Sequence, residues 1–208
     1  TMEGTLFKSN VGQAKPKDLI GIPWMLAFAL RNDGWYLSSD IIWDKSGNCF
    51  PESVKDMCTK AHEYIFMLSK NQYYYFDNEA IKEPVKEVSI IRAKYGWHGN
   101  GDDGNGNYAG LSHTDCMDRM VNPDGRNKRD VWHVNTHSYD GAHFATYPIE
   151  LIKPCILAGS VEGAIILDPF SGSGTTGICA VANGRKYIGV ELNQKYIDLS
   201  MERFEETF

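Results

Sequence analysis

Leu167-Asp-Pro-Phe-Ser-Gly-Ser-Gly-Thr-Thr-Gly177, followed by Glu191, decides the fold. Apolar Ala164 to Leu167 predict a short buried strand, and Lys186 to Val190 predict the next. A glycine loop and a helix lie between them. Gly172 and Gly174 supply backbone that can turn tightly and approach a ligand. Gly177, one turn into the helix, permits close packing on the sheet. Glu191 stands at the carboxyl end of the second strand, where an acid can accept both hydroxyls of a ribose. The stretch reads as α/β, with a nucleoside-cofactor site placed late in the chain.

Gly172-Ser-Gly174-Thr-Thr-Gly177 matches the dinucleotide pattern G-x-G-x-x-G. Alone that pattern is a common turn. The flanking strand, helix and distal acid give it weight. A phosphate-binding P-loop is excluded because Ile178, not lysine, follows Gly177. Two features oppose a nicotinamide cofactor. The Asp168 carboxylate at the strand end would repel a pyrophosphate and suits a cationic or amine-bearing ligand. The tail 192–208 is also too short for a second mononucleotide half.

Asp168-Pro-Phe-Ser-Gly-Ser-Gly-Thr-Thr176 with Val190-Glu191-Leu-Asn193 resembles the S-adenosylmethionine site of the amino-group DNA methyltransferases, the N4-cytosine and N6-adenine enzymes. His143-Phe-Ala-Thr-Tyr-Pro148 with Leu151-Ile152 is similar to the family segment that holds the methionine end of the cofactor. Asp33-Gly-Trp-Tyr-Leu37, Asp40-Ile-Ile-Trp43, Pro51-Glu-Ser-Val54 and Thr59-Lys-Ala-His-Glu-Tyr-Ile-Phe66 resemble its central catalytic-lobe strands. The resemblance covers most of 15–84 and 140–206. It implies a Rossmann-like methyltransferase sheet with an antiparallel hairpin, in the circularly permuted order that places the catalytic lobe before the cofactor loop. It implies S-adenosylmethionine held by Asp168, Phe170, Ser171, Gly172, Gly174, Thr175 and Glu191, with His143, Phe144 and Thr146 at the methionine end. It divides the chain into a catalytic-lobe portion (1–84), a target-recognition insert (85–141) and a cofactor-binding portion (142–208). In the insert, the basic cluster Arg126, Lys128 and Arg129 is the candidate contact to DNA phosphates or guanine edges; a solvated loop is the bland alternative.

The 208 residues suffice for one large domain, or one with a small insert. A net charge of −6 argues against broad electrostatic capture of nucleic acid, although a local basic cleft would suffice. No secretion signal and no apolar run of about 18 residues is read, so the expectation is a cytoplasmic protein without membrane spans, of prokaryotic or phage origin by resemblance. Cys49, Cys58, Cys116, Cys155 and Cys179 form no C-x-x-C pair, which fits reduced thiols. His133 and His137 have a helical spacing suited to metal, but no glutamate follows His133 and no cysteine pair is near. No metal is expected.

Along the chain, 17–30 predicts a helix with Pro23 in its first turn or at a kink, ended by Arg31-Asn-Asp-Gly34. Strands are predicted at 35–43 and 61–68. Asn71-Gln72 would turn the second into a third at Tyr73-Tyr-Tyr-Phe76, whose aromatics read as hairpin packing before a base-stacking platform. His62 reads as a packed strand-end residue. The glycine-, asparagine- and aspartate-rich run 97–107 reads as a solvated loop. Pro148 and Glu150 suit a helix start, and Asn193 can cap the last helix.

In the family, the acceptor amine is held by an Asp, Asn or Ser followed by Pro-Pro and an aromatic, on a central strand. No two of the eight prolines here are adjacent, so the resemblance leaves the catalytic residues unassigned. A sheet without that strand would expose unpaired edges. The expectation is an upstream segment that completes it, with residues 1–15 as a substitute strand or a homodimer as the alternatives. The activity implied is methyl transfer to cytosine N4 or adenine N6 in double-stranded DNA, within a restriction–modification setting, with a lean to cytosine. A non-catalytic relative that binds cofactor or DNA is the alternative, and a nicotinamide-dependent oxidoreductase is third.

Overall fold

The computed structural model describes residues 14–48, 52–53, 55–95, 125–136 and 147–208. The chain divides into two units, Thr1–Tyr74 and Tyr75–Phe208.

In the first unit, helix α1 spans Ile22–Asn32. It starts later than the predicted Lys17 because Lys17 and Gly21, both at φ 74°, stand in the left-handed region and break any earlier turn. Pro23 sits in its first turn, where a missing N–H costs nothing. The helix ends as predicted. The Trp35 N–H reaches the Leu30 carbonyl, and the N–H of Gly34, at φ 98°, reaches that of Arg31. Strands β1 (Tyr36–Asp44) and β2 (His62–Ser69) pair antiparallel, Asp40 opposite Phe66 and Trp43 opposite Glu63. Trp24 of α1 packs edge-on against Tyr64 and Phe66 of β2, at 5.1 and 5.0 Å.

This pairing corrects one expectation. The antiparallel pair is β1–β2, not β2 with Tyr73–Phe76. The Ser69 hydroxyl donates to the Asn71 carbonyl and bends the chain, and 73–76 follow without strand structure. All four aromatics are exposed, Tyr73 at 87%.

In the second unit, α2 (Glu87–Tyr95) and the short strand β3 (Val131–His133) precede α3 (Ile149–Gly159). Pro148 is the N-cap of α3 and Glu150 lies in its first turn, as predicted. Strand β4 (Ile165–Asp168), helix α4 (Thr175–Ala182) and strand β5 (Lys186–Gly189) form a parallel βαβ unit, Asp168 opposite Gly189. Helix α5 (Gln194–Thr207) closes the chain, capped by Asn193, whose side chain accepts from the Lys195 N–H at 3.1 Å.

Ile156, Cys179 and Ala180 form a buried core with Ile152 and Ile166 against it. That core joins α3, α4 and one face of β4. The alternation of a strand puts Ile165 and Leu167 on the other face, each 62% exposed. Gly177 is required by packing. A β-carbon there would stand 2.7 Å from the Phe204 ring and closer still to Tyr187. This is the tight helix-on-sheet contact the sequence predicts.

Candidate cofactor site

The end of β4, the loop 169–174 and the end of β5 converge because the parallel pair aligns both strand termini. Brackets across them hold the loop. The Ser171 N–H donates to the Val190 carbonyl, and the Val190 N–H to that of Asp168, each at 2.9 Å. Gly172 and Gly174, at φ 52° and 80°, make the turn that a side chain would strain. The Ser171 hydroxyl lies 2.8 Å from that of Tyr187. From α5, Arg203 donates to the Ser173 carbonyl at 2.6 Å and to the Ser173 and Thr175 hydroxyls at 2.9 and 3.3 Å.

Two carboxylates face this loop. Asp168 accepts from the Phe170 N–H on one oxygen at 3.0 Å and from the Thr176 hydroxyl on the other at 2.6 Å. Glu191 accepts from the backbone N–H groups of Asn193 at 2.8 Å, and Gly172 and Leu192, both at 2.9 Å. The Asn193 N–H first, and the other two with it, outweigh desolvation and hold the Glu191 carboxyl below its ordinary value. It is therefore a fixed anion. Close to the carboxylates in sequence, two apolar side chains stand in solvent, Phe170 at 88% and Leu192 at 100% exposed. Fixed acids flanked by exposed apolar groups suit a ligand with an amine, vicinal hydroxyls and a flat ring.

The loop thus brings together Asp168, Phe170, Ser171, Gly172, Gly174, Thr175 and Glu191. Thr175 is buried and its hydroxyl is engaged by Arg203. His143, Phe144 and Thr146 lie outside the described residues, as do Cys49, Cys116, His137 and 97–107. Tyr147, Thr176, Tyr187, Leu192 and Arg203 were not nominated by sequence. Tyr147, Thr176 and Leu192 stand inside the quoted motifs, whereas Tyr187 and Arg203 lie outside them.

The basic cluster is arranged differently. Glu83 and Arg126 exchange backbone hydrogen bonds, both 2.9 Å. The Glu83 carboxylate accepts from Arg126 Nη2 at 2.9 Å and Arg129 Nε at 3.2 Å. Lys128 Nζ lies over the Trp132 ring, 4.8 Å from its centre. Desolvation works to raise the Glu83 carboxyl, but the Arg129 N–H, the Arg129 charge and both guanidinium bonds outweigh it and hold it below its ordinary value. His62 packs edge-on against Tyr64, as expected of a strand-end residue. Among the described residues no three acidic, histidine or cysteine side chains cluster as metal ligands, and no helix is long and apolar enough to cross a membrane.

A family model described as DNA methylase matches residues 2–202. The type II methyltransferase M.Cfr9I of Citrobacter freundii is 46% identical over 191 residues, 92% of this chain and 52% of that protein. M.SmaI of Serratia marcescens is 46% identical over 91% of this chain and 53% of its own length. The chain therefore spans about half the length of these relatives. Among solved structures, PvuII DNA methyltransferase (cytosine-N4-specific) aligns with a TM-score of 0.61 at 17% identity, covering 92% of this chain and 59% of that one. The M1.HpyAVI–SAM complex aligns at 0.55 and 19%, covering 89% and 71%. At those identities the likeness shows the fold, the α/β methyltransferase fold.

Proposed function

The chain belongs to the DNA methylase family of N6 and N4 methyltransferases, and from that premise we propose that it supplies the S-adenosylmethionine site of an enzyme that methylates an exocyclic amine in double-stranded DNA. The observation that carries this reading is the pair of fixed carboxylates, Asp168 and Glu191, across one glycine loop. Asp168 takes the cofactor's amine. Glu191 takes the ribose hydroxyls, with the Gly172 N–H yielding or sharing its oxygen, since three of the carboxylate's roughly four lone pairs are already engaged. Phe170 and Leu192 flank the adenine. His143, Phe144 and Thr146 line the methionine end.

Methyl transfer from a sulfonium requires alignment of the acceptor nitrogen, methyl and leaving sulfur, with water excluded. The target base must leave the helical stack to reach the site. The insert 85–141 reads the target sequence, and Arg126, Lys128 and Arg129 contact the DNA from its base; their bonds to Glu83 and Trp132 leave other N–H donors free. The catalytic lobe precedes the cofactor loop in the permuted order. The exposed face of Ile165, Leu167 and Ile188 is covered by further chain or by a second copy. Cytosine N4 is the preferred acceptor, and the setting is a bacterial cytoplasm with a restriction partner.

The lack of adjacent prolines favours a second reading, a module that binds cofactor or DNA but transfers nothing. A tritiated methyl-transfer assay on mixed-sequence DNA separates the two. Incorporation, with N4-methylcytosine or N6-methyladenine in the nucleoside digest, supports the enzyme. Saturable cofactor binding without incorporation supports the module.

A further inference from the structure

Two hydroxyls that the cofactor reading leaves unassigned reach Asp168 from its protein side. Thr176 Oγ1 donates to Asp168 Oδ2 at 2.6 Å. The Tyr147 hydroxyl closely contacts Thr176 Oγ1 and lies 3.5 Å from the same carboxylate oxygen. The Tyr147 hydroxyl is also placed to donate to Asp168 Oδ2, and either hydroxyl can be the donor in the contact between them. The two hydroxyls and the carboxylate form one hydrogen-bonded cluster around the Asp168 charge. Such clusters polarise their members.

The geometry fixes which oxygen remains for a ligand. Oδ2 is turned to the two hydroxyls, whereas among the described residues Oδ1 accepts only the Phe170 N–H, which leaves it a lone pair. Thr176 is buried at 6% exposure, and Tyr147 is partly buried. The members come from three places: the residue before the α3 cap, the first turn of α4 and the end of β4. Burial pushes the Tyr147 phenol up against the lowering effect of Thr176, and the Asp168 charge pushes it further up. The phenol therefore stays protonated and able to donate.

We infer that Tyr147 and Thr176 are positioning residues, which lock the Asp168 carboxylate in one orientation with Oδ1 presented to the amine of an amine-bearing ligand. This rests on the reading of Asp168 as the acceptor for the S-adenosylmethionine amine. Without the two hydroxyls, Oδ2 loses its charge-assisted bonds and the carboxylate rotates among several orientations. The loss should therefore fall on ligands that carry the amine and spare those that lack it.

Titration calorimetry of the full chain with S-adenosylhomocysteine and with 5′-methylthioadenosine tests this. The first carries the amino acid end, and the second keeps the adenosine and thioether without it. Tyr147→Phe and Thr176→Val should each weaken S-adenosylhomocysteine about tenfold and leave methylthioadenosine within about twofold. Thr176→Ser, which keeps the hydroxyl, should restore S-adenosylhomocysteine affinity. Retained methylthioadenosine binding also reports a folded loop. Equal losses for both ligands, or unchanged S-adenosylhomocysteine affinity in both variants, would overturn the positioning role. Wild-type chain that binds neither ligand would overturn the cofactor reading itself, and the positioning role with it.

Discussion

The glycine loop and the Glu83 latch both gather charged residues that the sequence nominates, yet they use them in opposite ways. At the loop, backbone N–H groups, joined at Asp168 by neutral hydroxyls, fix the carboxylates without neutralising them, while Phe170 and Leu192 remain open to solvent. At the latch, Glu83 takes two arginines directly and Lys128 lies on Trp132. Charge fixed by backbone remains available to a ligand. Charge paired with an opposite side chain is already partly neutralised. The loop therefore keeps its fixed charge open, as the proposed cofactor reading requires. The latch is built first to tie 82–83 to 125–129, a point supported by Gly125, where a β-carbon would stand 2.7 Å from the Glu83 carbonyl.

The largest effect that sharpens this contrast is at Glu191. Glu191→Ala should weaken S-adenosylmethionine about ten- to a hundredfold in calorimetry, whereas Glu83→Ala should leave that affinity unchanged. Equal losses would erase the distinction between the two regions. Next, Gly177→Ala should destabilise the second unit by about 1–3 kcal/mol in denaturant unfolding, because the added carbon has no room against Tyr187 and Phe204.

A smaller effect is expected at the latch. Glu83→Gln should lower stability by about 1 kcal/mol at neutral pH. The folded Glu83 carboxyl lies below its ordinary value. Its stabilisation is therefore present above the unfolded value and lost as pH falls through the folded one. Wild type and variant should converge in acid; a gap that widens in acid would contradict the latch. The smallest effect belongs to the outer cations. Arg129→Ala or Lys128→Ala should reduce the salt slope of DNA binding by about one per phosphate contact removed.

The βαβ unit was legible because each local signal agreed. The glycines at 172, 174 and 177 and the cap at Asn193 match the structure, whereas the apolar run 164–167 forms its strand but is not buried as expected, Ile165 and Leu167 being 62% exposed. Such signals are carried by residues close in sequence, so the pattern contains them. Tyr73–Phe76 failed as a strand because aromatic content alone does not select a pairing partner. β2 already pairs with β1, a long connection away, and the Lys45 N–H to Ala61 carbonyl bond of 2.7 Å closes that connection. The start of α1 was misplaced because nothing in Lys17 announces a positive φ. Tyr147, Thr176 and Arg203 were missed for a related reason. Their roles depend on hydroxyl and guanidinium contacts made across 8 to 30 positions of sequence, which no local motif encodes.

The claim on which the rest depends is that the loop from Asp168 to Gly177, with Glu191, receives S-adenosylmethionine and not a dinucleotide. Titration of the full chain with S-adenosylmethionine, followed by competition, tests it most directly. The account predicts saturable binding of one molecule per chain, displaced by S-adenosylhomocysteine and indifferent to reduced nicotinamide dinucleotide. No saturable binding, or displacement by the dinucleotide, would contradict it.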